Sequence, residues 1–428
     1  MNDQLKQQLV EWRRDFHQYP EQGFLEMRTA SIVAAELDRL GFKLRTGREV
    51  MVSKEMMGRP SVKTVAAHAE WAEQNGANPD YFGLFLDGFT GIVADWETGK
   101  EGPVTAFRFD MDALPIFESD DADHLPEKEG FRSVAPGSMH ACGHDGHTSI
   151  GLGLANLMAE NADQFTGTIR IIFQPAEEGV RGAKSMTAAG VVDDVDRFIA
   201  VHLGTGVPHR HFVAAANGFL ATTKMNVSFR GMASHAGAQP QDGRNALLAA
   251  ASAALNIHAI SRHSNGASRV NVGELHAGSG RNIIADTADM KIETRGANSS
   301  INHYVKEQAI AVIKGAAQMY GVDYEIDVAG EAINCDSTLA LAEKLAEAAK
   351  GSPFIDEVVL EDNSSAGSED ATYFMERVKA HGGEATYCIV GTDLAAGHHN
   401  KLFDINEESL FAGVDVLYRA AVELNGVT

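Results

Sequence analysis

Three apolar, strand-forming segments of the sequence each end in acidic residues or a histidine. The segments and the residues that follow them are 104–109 before Asp110 and Asp112, 168–173 before Glu177 and Glu178, and 198–201 before His202. A helix is predicted at 150–158, between the first two segments. Open α/β sheets bind ligands at the carboxyl ends of their strands. The sequence therefore predicts an α/β fold in which these polar residues meet at one edge of a sheet.

The size and charge of the chain exclude several classes of protein. With 428 residues and 44% hydrophobic content, the chain exceeds what one small core requires, which favours two domains. Its formal charge of −23 argues against nucleic acid as a partner, because phosphate backbones attract basic surfaces. No segment approaches the roughly 18 apolar residues that span a bilayer, so no membrane partner is expected.

The cysteines and the first residues bear on the cellular compartment. Cys142, Cys335 and Cys388 are far apart in the sequence, which is typical of reduced thiols rather than of a disulfide framework. The N-terminal residues are polar, and no apolar signal region follows them. We therefore expect a cytoplasmic protein.

A change of pattern near residue 218 indicates a second domain. Strands are predicted at 223–229, 269–275, 288–295 and 324–328, and helices at 243–259 and 304–320. This β-α-β-β-α-β order is that of the ferredoxin-like split motif. The sequence therefore predicts a discontinuous first domain of residues 1–217 and 331–428, and an inserted domain of residues 218–330. Residues 46–95 are interpreted as an elaboration of the first domain, with a helix at 62–74.

The segment 139–147, Met-His-Ala-Cys-Gly-His-Asp-Gly-His, has the composition of a metal-binding loop. Cysteine, histidine and carboxylate ligands suit zinc, and imidazole with carboxylate also suits manganese. Cys142 and His144 are two residues apart in a glycine-containing loop, so both side chains can face one ion. Taken alone, the segment is also compatible with a structural cluster of histidines.

Three further signals lie at strand ends or in loops. The adjacent carboxylates of Glu177 and Glu178 repel each other, which makes sense if one binds a cation while its neighbour handles protons. The alternatives are an exposed acidic turn for this pair, a buried core histidine for His202, and an exposed loop for His398 and His399. Together with segment 139–147, these signals favour one metal centre.

Short motifs spread from residue 12 to residue 400 resemble those of a known family. They are WRRDFH at 12–17, RFDMDALP at 108–115, MHACGHDGH at 139–147, QPAEEG at 174–179, ASHA at 233–236, GRNII at 280–284, SED at 368–370 and HN at 399–400. The sequence resembles the M20 metallopeptidase/amidohydrolase family, in its aminoacylase-like branch of hippurate and auxin-conjugate hydrolases. The resemblance implies a zinc-peptidase catalytic domain with a mixed sheet and an inserted ferredoxin-like α+β dimerisation, or lid, domain.

The resemblance also implies a site with two divalent metal ions. Its ligands are Cys142, His144, Glu178, His202 and His399, where His399 is preferred to His398 because it directly precedes Asn400. Glu177 is the implied general base, and Asp112 orients a ligand histidine. The resemblance favours Mn²⁺, whereas the softness of a thiolate favours Zn²⁺.

In the inserted domain, the resemblance assigns roles to three residues. His235 is expected to stabilise the oxyanion in the site of a partner subunit. Asn282 and Arg295 are expected to bind the substrate carboxylate, and the alternative for Arg295 is a strand arginine in a surface ion pair. Arg281 and Lys224 are weaker candidates for a second carboxylate.

The resemblance implies hydrolysis of the amide bond between an acyl or aroyl group and an amino acid. The preferred substrate is p-aminobenzoyl-glutamate, and the alternatives are a general N-acyl-amino-acid or auxin-conjugate amidohydrolase and, with less support, an exopeptidase acting on dipeptides. A non-catalytic binding subunit is a further alternative, against which the intact Glu177 argues. The resemblance also implies an assembly, either a homodimer or a heterodimer with a homologous B subunit.

Overall fold

The computed structural model describes residues 1–364 and 367–427. Contacts between residues divide the chain into two compact units. The first unit comprises Met1–Asn217, Cys335–Ser365 and Asp370–Thr428, and the second comprises Gly218–Asn334 and Ala366–Glu369. Each unit has its own sheet and its own hydrophobic core.

The helices and strands follow one another in this order. Up to residue 217 they are α1 Asp3–Gln18, α2 Met27–Leu40, β1 Lys43–Thr46, α3 Val62–Gln74, β2 Ile92–Glu97, β3 Val104–Asp110, α4 Leu125–Glu129, α5 His144–Glu160, β4 Thr168–Gln174, α6 Ala183–Ala188, β5 Arg197–Leu203 and β6 His211–Ala216. The second unit adds β7 Ala221–Arg230, α7 Ala246–His258, β8 Ser268–Ala277, β9 Thr287–Gly296, α8 Ser299–Tyr320 and β10 Asp323–Ala332. The chain then forms α9 Leu339–Lys350, β11 Glu357–Asp362, α10 Thr372–Ala380, β12 Glu384–Val390 and α11 Glu408–Asn425. Among the described residues, no helix combines the length and apolar character that crossing a membrane requires.

The first unit is built on an eight-stranded sheet in the order β1-β2-β4-β3-β5-β12-β6-β11. β3 pairs in parallel with both β4 and β5, whereas β2 runs antiparallel to β4 and β12 runs antiparallel to β6. The predicted α/β class with a mixed sheet is therefore confirmed. Because β4, β3 and β5 are parallel neighbours, the residues at their carboxyl ends meet at one edge of the sheet.

Strands β3 and β4 are buried on both faces, as is usual where helices cover a parallel sheet. Helix α5 packs against them through Gly151, where an added Cβ would lie 2.7 Å from Phe109 and 2.8 Å from Phe173. This close approach positions His144, the first residue of α5, with its Nε2 3.7 Å from Oδ1 of Asp110 at the end of β3. The packing of one helix on two strands thus sets the position of a predicted ligand.

The elaboration at residues 46–95 is attached to the first unit by polar contacts. Its helix α3 has the predicted bounds. Nε2 of His68 on α3 is 2.9 Å from Oε1 of the buried Glu21, and Nε–H of Arg28 donates to the carbonyl of Asn75 at 2.7 Å. The elaboration is therefore held against the start of α2.

The second unit has the predicted β-α-β-β-α-β order, and its four antiparallel strands lie in the order β10-β7-β9-β8. Helices α7 and α8 cover one face of this sheet, where Ile313 and Val305 share a core with Met225 and Ile292. Strand β10 extends to Ala332, beyond the domain boundary expected at residue 330, because the strand continues to pair with β7.

We predict that Gly151→Ala destabilises the first unit although alanine is the better helix former. The new methyl group would overlap the rings of Phe109 and Phe173, so the free energy of unfolding should fall by about 1–3 kcal/mol. Urea denaturation followed by circular dichroism measures the change.

Gly315→Ala in α8 is the matched control, because nothing lies within 4 Å of a Cβ added at Gly315. There we expect stabilisation by about 0.5–1 kcal/mol from helix propensity alone. Equal effects of the two substitutions would contradict the role assigned to the packing of Gly151.

Candidate metal centre

Cys142 and His144 lie where a loop enters helix α5. Gly143 between them has φ of 96°, in the left-handed region that glycine adopts at little cost. This turn lets both side chains point to the same side of the chain. His144 is buried, and Cys142 is half-buried.

The turn after β4 carries Glu177 and Glu178, and buried carboxylates hold its backbone. Asp112, which follows β3, accepts the N–H of Glu177 at 2.9 Å and that of Glu178 at 3.0 Å, each with a different oxygen. Ala176, which has a positive φ of 54°, donates its N–H to Glu26 at 2.8 Å. The direction of both glutamate side chains is therefore set by the protein itself.

His202, near the end of β5, lies with one ring nitrogen toward the other donors. Its Nδ1 is 2.8 Å from the carbonyl oxygen of Leu203, so Nδ1 carries the proton that it donates there. This leaves Nε2, which is 3.5 Å from Sγ of Cys142, with a lone pair. A backbone acceptor on the far nitrogen is the arrangement that orients metal-binding histidines.

His399, and not His398, lies against the glutamate turn. Nε2 of His399 is 3.7 Å from Oε1 of Glu178, and the backbone N–H of His399 donates to the carbonyl of Ala141 at 2.7 Å. The φ of His399 is 63°, an uncommon value outside glycine that clusters at functional sites. Nε2 of His398 instead accepts the N–H of Thr205 at 3.0 Å.

The structure brings the five expected ligands and the expected base together in overlapping sets. In each set, the donor atoms lie within 4.8 Å of one another. The sets are Cys142 with His144 and His202, Cys142 with Glu178 and His399, and His144 with Glu177 and Glu178. Donors of these types at these spacings are able to coordinate divalent cations.

A fourth set joins His144 to Asp110 and His147, neither of which was assigned as a ligand from the sequence. His147 is fully engaged by protein groups, because Nδ1 is 2.6 Å from Asp110 and Nε2 accepts the N–H of Leu203 at 2.9 Å. It therefore ties the end of β3 to the strand that carries His202. This contact depends on how α5 packs on β3, so no spacing within the sequence predicts it.

The electrostatics of the centre suit a bound cation. Within residues 1–364 and 367–427, Nε2 of the buried His144 makes no hydrogen bond. Burial raises the pKa of the Cys142 thiol, and the negative charge of Glu178 raises it further. Burial alone would lower the pKa of His144, but the charge of Asp110 and the carboxylate of Asp112, 3.4 Å from Nδ1, raise it well above its ordinary value. The surroundings are thus strongly negative, and the residues fit a divalent metal ion.

His202 has the opposite shift. Burial lowers its pKa well below the ordinary value for histidine, and the neighbouring His147 and His398 lower it further. Neutral imidazole is the form that binds metal ions. The lowered pKa therefore keeps His202 in the neutral form, so that it could bind a metal ion without first losing a proton.

The motif at residues 12–17 belongs to a buried network of charges that contacts the segments carrying His144 and His399. Arg13 donates to Asp145 at 3.0 Å and to Asp404 at 2.6 Å, and Nδ1 of His17 is 2.8 Å from Asp145. Burial and Arg13 lower the pKa of His17, but its bonds with Asp145 and Glu118 outweigh them and raise it to about 9. Helix α1 is thereby joined to the residue that follows His144 and to the loop after His399.

In the second unit, His235 and Asn282 are exposed. Nδ1 of His235 accepts the N–H groups of Gly237 at 3.1 Å and Ala238 at 3.0 Å, so Nε2 carries the proton of the neutral ring and is able to donate it. Arg295 is half-buried and pairs with Glu293 through Nε at 3.0 Å and Nη2 at 3.1 Å. The ion pair considered as an alternative for Arg295 is therefore present.

Comparison with known proteins identifies relatives along the whole chain. The chain is 50% identical over 418 residues to the A subunit of p-aminobenzoyl-glutamate hydrolase from Escherichia coli (strain K12), covering 98% of this chain and 96% of that protein. It is 49% identical over 419 residues to indole-3-acetyl-aspartic acid hydrolase of Enterobacter agglomerans, with the same coverage of each.

A solved structure is also similar. The crystal structure of aminobenzoyl-glutamate utilization protein from Klebsiella pneumoniae matches with a TM-score of 0.85 and 46% identity, covering 98% of this chain and 96% of that chain. The family model described as Peptidase family M20/M25/M40 matches residues 106–423. These matches confirm the resemblance drawn from the motifs. The chain belongs to the M20 peptidase family and is a metallo-amidohydrolase.

Proposed function

We propose that the protein hydrolyses the amide bond of N-acyl acidic amino acids, with p-aminobenzoyl-glutamate as its substrate and p-aminobenzoate and glutamate as its products. The observation that carries the proposal is the buried carboxylate of Glu177, which lies beside a set of metal-ligand donors. The names of the two relatives support the substrate class, because each specifies an acyl conjugate of an acidic amino acid.

We assign two divalent metal ions to the centre. Their ligands are Cys142, His144, Glu178, His202 and His399, with Mn²⁺ favoured and Zn²⁺ as the alternative. Such a cation supplies Lewis acidity, which polarises the amide carbonyl and makes water a stronger acid. The thiol of Cys142 favours zinc, whereas the imidazole and carboxylate donors suit both metals.

Glu177 is the proposed general base. Its Oε2 lies 3.9 Å from Nε2 of His144, among the ligand donors. It takes a proton from the attacking water and delivers it to the amide nitrogen, so that the amine leaves in neutral form. Asp112 supports this role because it holds the backbone N–H of Glu177 and lies 3.4 Å from Nδ1 of His144.

We also propose roles for residues of the second unit. We propose that His235 donates from Nε2 to the oxyanion of the tetrahedral intermediate in the site of a partner subunit, since both N–H groups on Nδ1 fix that tautomer. Asn282 and Arg295 are proposed to bind a substrate carboxylate, with Arg295 sharing its charge with Glu293. Arg281 and Lys224 remain weaker candidates for binding the side-chain carboxylate of glutamate.

The domain and assembly assignments are also proposals. We assign residues 1–217 and 331–428 to a catalytic domain and 218–330 to a dimerisation or lid domain. The relative from Escherichia coli is named as one of the subunits of its enzyme, which supports either a heterodimer with a homologous B subunit or a homodimer. Cys142, Cys335 and Cys388 are unpaired thiols, which supports the cytoplasm as the compartment.

Hydrolysis of indole-3-acetyl-aspartate is the second candidate function, favoured by the relative that carries this name. A panel of conjugates distinguishes the two. The purified protein, supplied with Mn²⁺ or Zn²⁺, is assayed for release of p-aminobenzoate or indole-3-acetate, with and without its proposed partner. Failure to release p-aminobenzoate under every condition would reject the preferred substrate, and release from neutral amino-acid conjugates at equal rates would reject the acidic class.

We predict that Glu177→Gln lowers kcat by about 10²–10⁴-fold, which is the usual contribution of a general base. Bound metal should be unchanged because the five ligands remain. Turnover by product release and metal content by elemental analysis measure the two quantities. Glu101→Gln, at an exposed position before β3, is the control and should leave both unchanged. Full activity of Glu177→Gln would rule out the assigned base.

Cys142→Ser should weaken metal binding by about tenfold or more, because a thiolate ligand is replaced by a weak hydroxyl donor. In protein loaded with Co²⁺, the sulfur-to-metal charge-transfer absorption should disappear. Cys335→Ser removes a thiol outside the donor sets and should retain the absorption. An undiminished absorption in Cys142→Ser would show that Cys142 is not a ligand. Removal of metal by a chelator should abolish hydrolysis by the unmodified protein.

A further inference from the structure

The two faces of the sheet in the second unit differ in chemistry. Burial alternates along β9, where Ile292 and Thr294 are buried on the face that packs against α7 and α8. Glu293 and Arg295 point to the opposite face and are less buried. No helix of this unit covers the opposite face within the described part of the chain.

Two arginines lie directly opposite each other on that face. The pairing of β8 with β9 places Arg269 against Arg295. Like charges in this position destabilise an antiparallel pair. Glu293 compensates Arg295, but Arg269 and the nearby Arg262 make no ion pair with any residue in 1–364 or 367–427. The sheet therefore keeps uncompensated positive charge at a place where its own stability would favour a neutral residue.

These side chains line one cavity of about 490 Å³, a size that suits a small molecule. Its charged residues are Arg262, Arg269, Arg295 and Glu293, which give a net charge of +2. Ser268 and Asn271 add polar groups. A local charge of this sign stands out in a chain whose formal charge is −23, because the whole molecule otherwise repels anions.

We propose that this cavity binds a small dicarboxylate, with Arg262 and Arg269 supplying the charges that the protein leaves uncompensated. Arginine pairs with carboxylates through two parallel N–H donors, which suits a ligand that carries two such groups. A dianion matches the net charge of +2, whereas a monocarboxylate leaves one positive charge uncompensated. The identification of the ligand as the acidic amino-acid portion of the substrate, or the acidic amino acid released from it, rests on the proposed function.

The test measures binding of glutarate, a dicarboxylate with no amide bond, to the full-length metal-loaded protein by isothermal titration calorimetry at low ionic strength. Butyrate is the monocarboxylate comparison. Glutarate should bind at least about tenfold more tightly than butyrate. Arg262→Gln and Arg269→Gln should each weaken glutarate binding by about tenfold or more and leave butyrate binding unchanged. Coordination to the metal ions would be common to both acids and insensitive to these substitutions.

Lys314→Gln is the matched control, since it removes an exposed positive charge from α8 of the same unit. It should not change the affinity for glutarate. Arg269→Gln should retain or raise the thermal unfolding midpoint, because it removes repulsion from Arg295, and Arg262 lies in a loop that its substitution should not unfold. Unchanged glutarate affinity in both arginine variants, or no preference for glutarate over butyrate, would overturn the proposal.

Inorganic phosphate distinguishes a dicarboxylate site from a general site for dianions. At matched ionic strength it should not displace glutarate at comparable concentrations, and equal displacement would overturn the assignment of the ligand class. The hydrolysis assays are independent of this titration. Glutarate binding with no hydrolysis of any conjugate would therefore refute the proposed function and leave the dicarboxylate site standing.

Discussion

The carboxylate of Asp112 is the contact on which the geometry of the metal centre depends. It accepts the backbone N–H groups of Glu177 and Glu178 with separate oxygens and lies 3.4 Å from Nδ1 of His144. Buried N–H groups without acceptors cost about 1–3 kcal/mol each, so the turn has a strong preference for this one conformation. Because Asp112 follows β3 and the glutamates follow β4, the parallel pairing of two strands determines where the proposed base, Glu177, and the proposed ligand, Glu178, lie.

The same arrangement places several carboxylates close together in a buried environment. Burial raises the pKa of Glu26, which holds the turn from the other side, to about 8, and the charge of Asp112 contributes to this shift. Arg108 compensates Asp110, to which it donates at 2.7 Å. The carboxylates of Glu177 and Glu178 also belong to the sets of donors that could hold a divalent cation. Metal binding is therefore expected to contribute to the stability of the first unit as well as to catalysis.

The sequence allowed prediction of those features that depend on local pattern. Strand ends placed the acidic turns and His202 correctly because the side chains at the carboxyl ends of neighbouring parallel strands share an edge. The sequence did not allow prediction of contacts that depend on pairing register or side-chain direction. The engagement of His147 by Asp110 requires the packing of α5 on β3, and the opposition of Arg269 and Arg295 requires the register of β8 with β9. No periodicity within a single segment contains that information.

The charge requirements of the two units are opposite, and the proposed chemistry explains why both are needed. A centre built from Glu177, Glu178 and Asp112 attracts cations and, without bound metal, repels carboxylates. An enzyme whose substrates are dianions gains no preference for acidic amino acids from the carboxylates proposed to hold the metal. Positive side chains away from those ligands must supply it. Uncompensated arginines such as Arg269 lower the stability of the sheet that carries them. Recognition of an anion is the proposed physical reason why the sheet carries these charges.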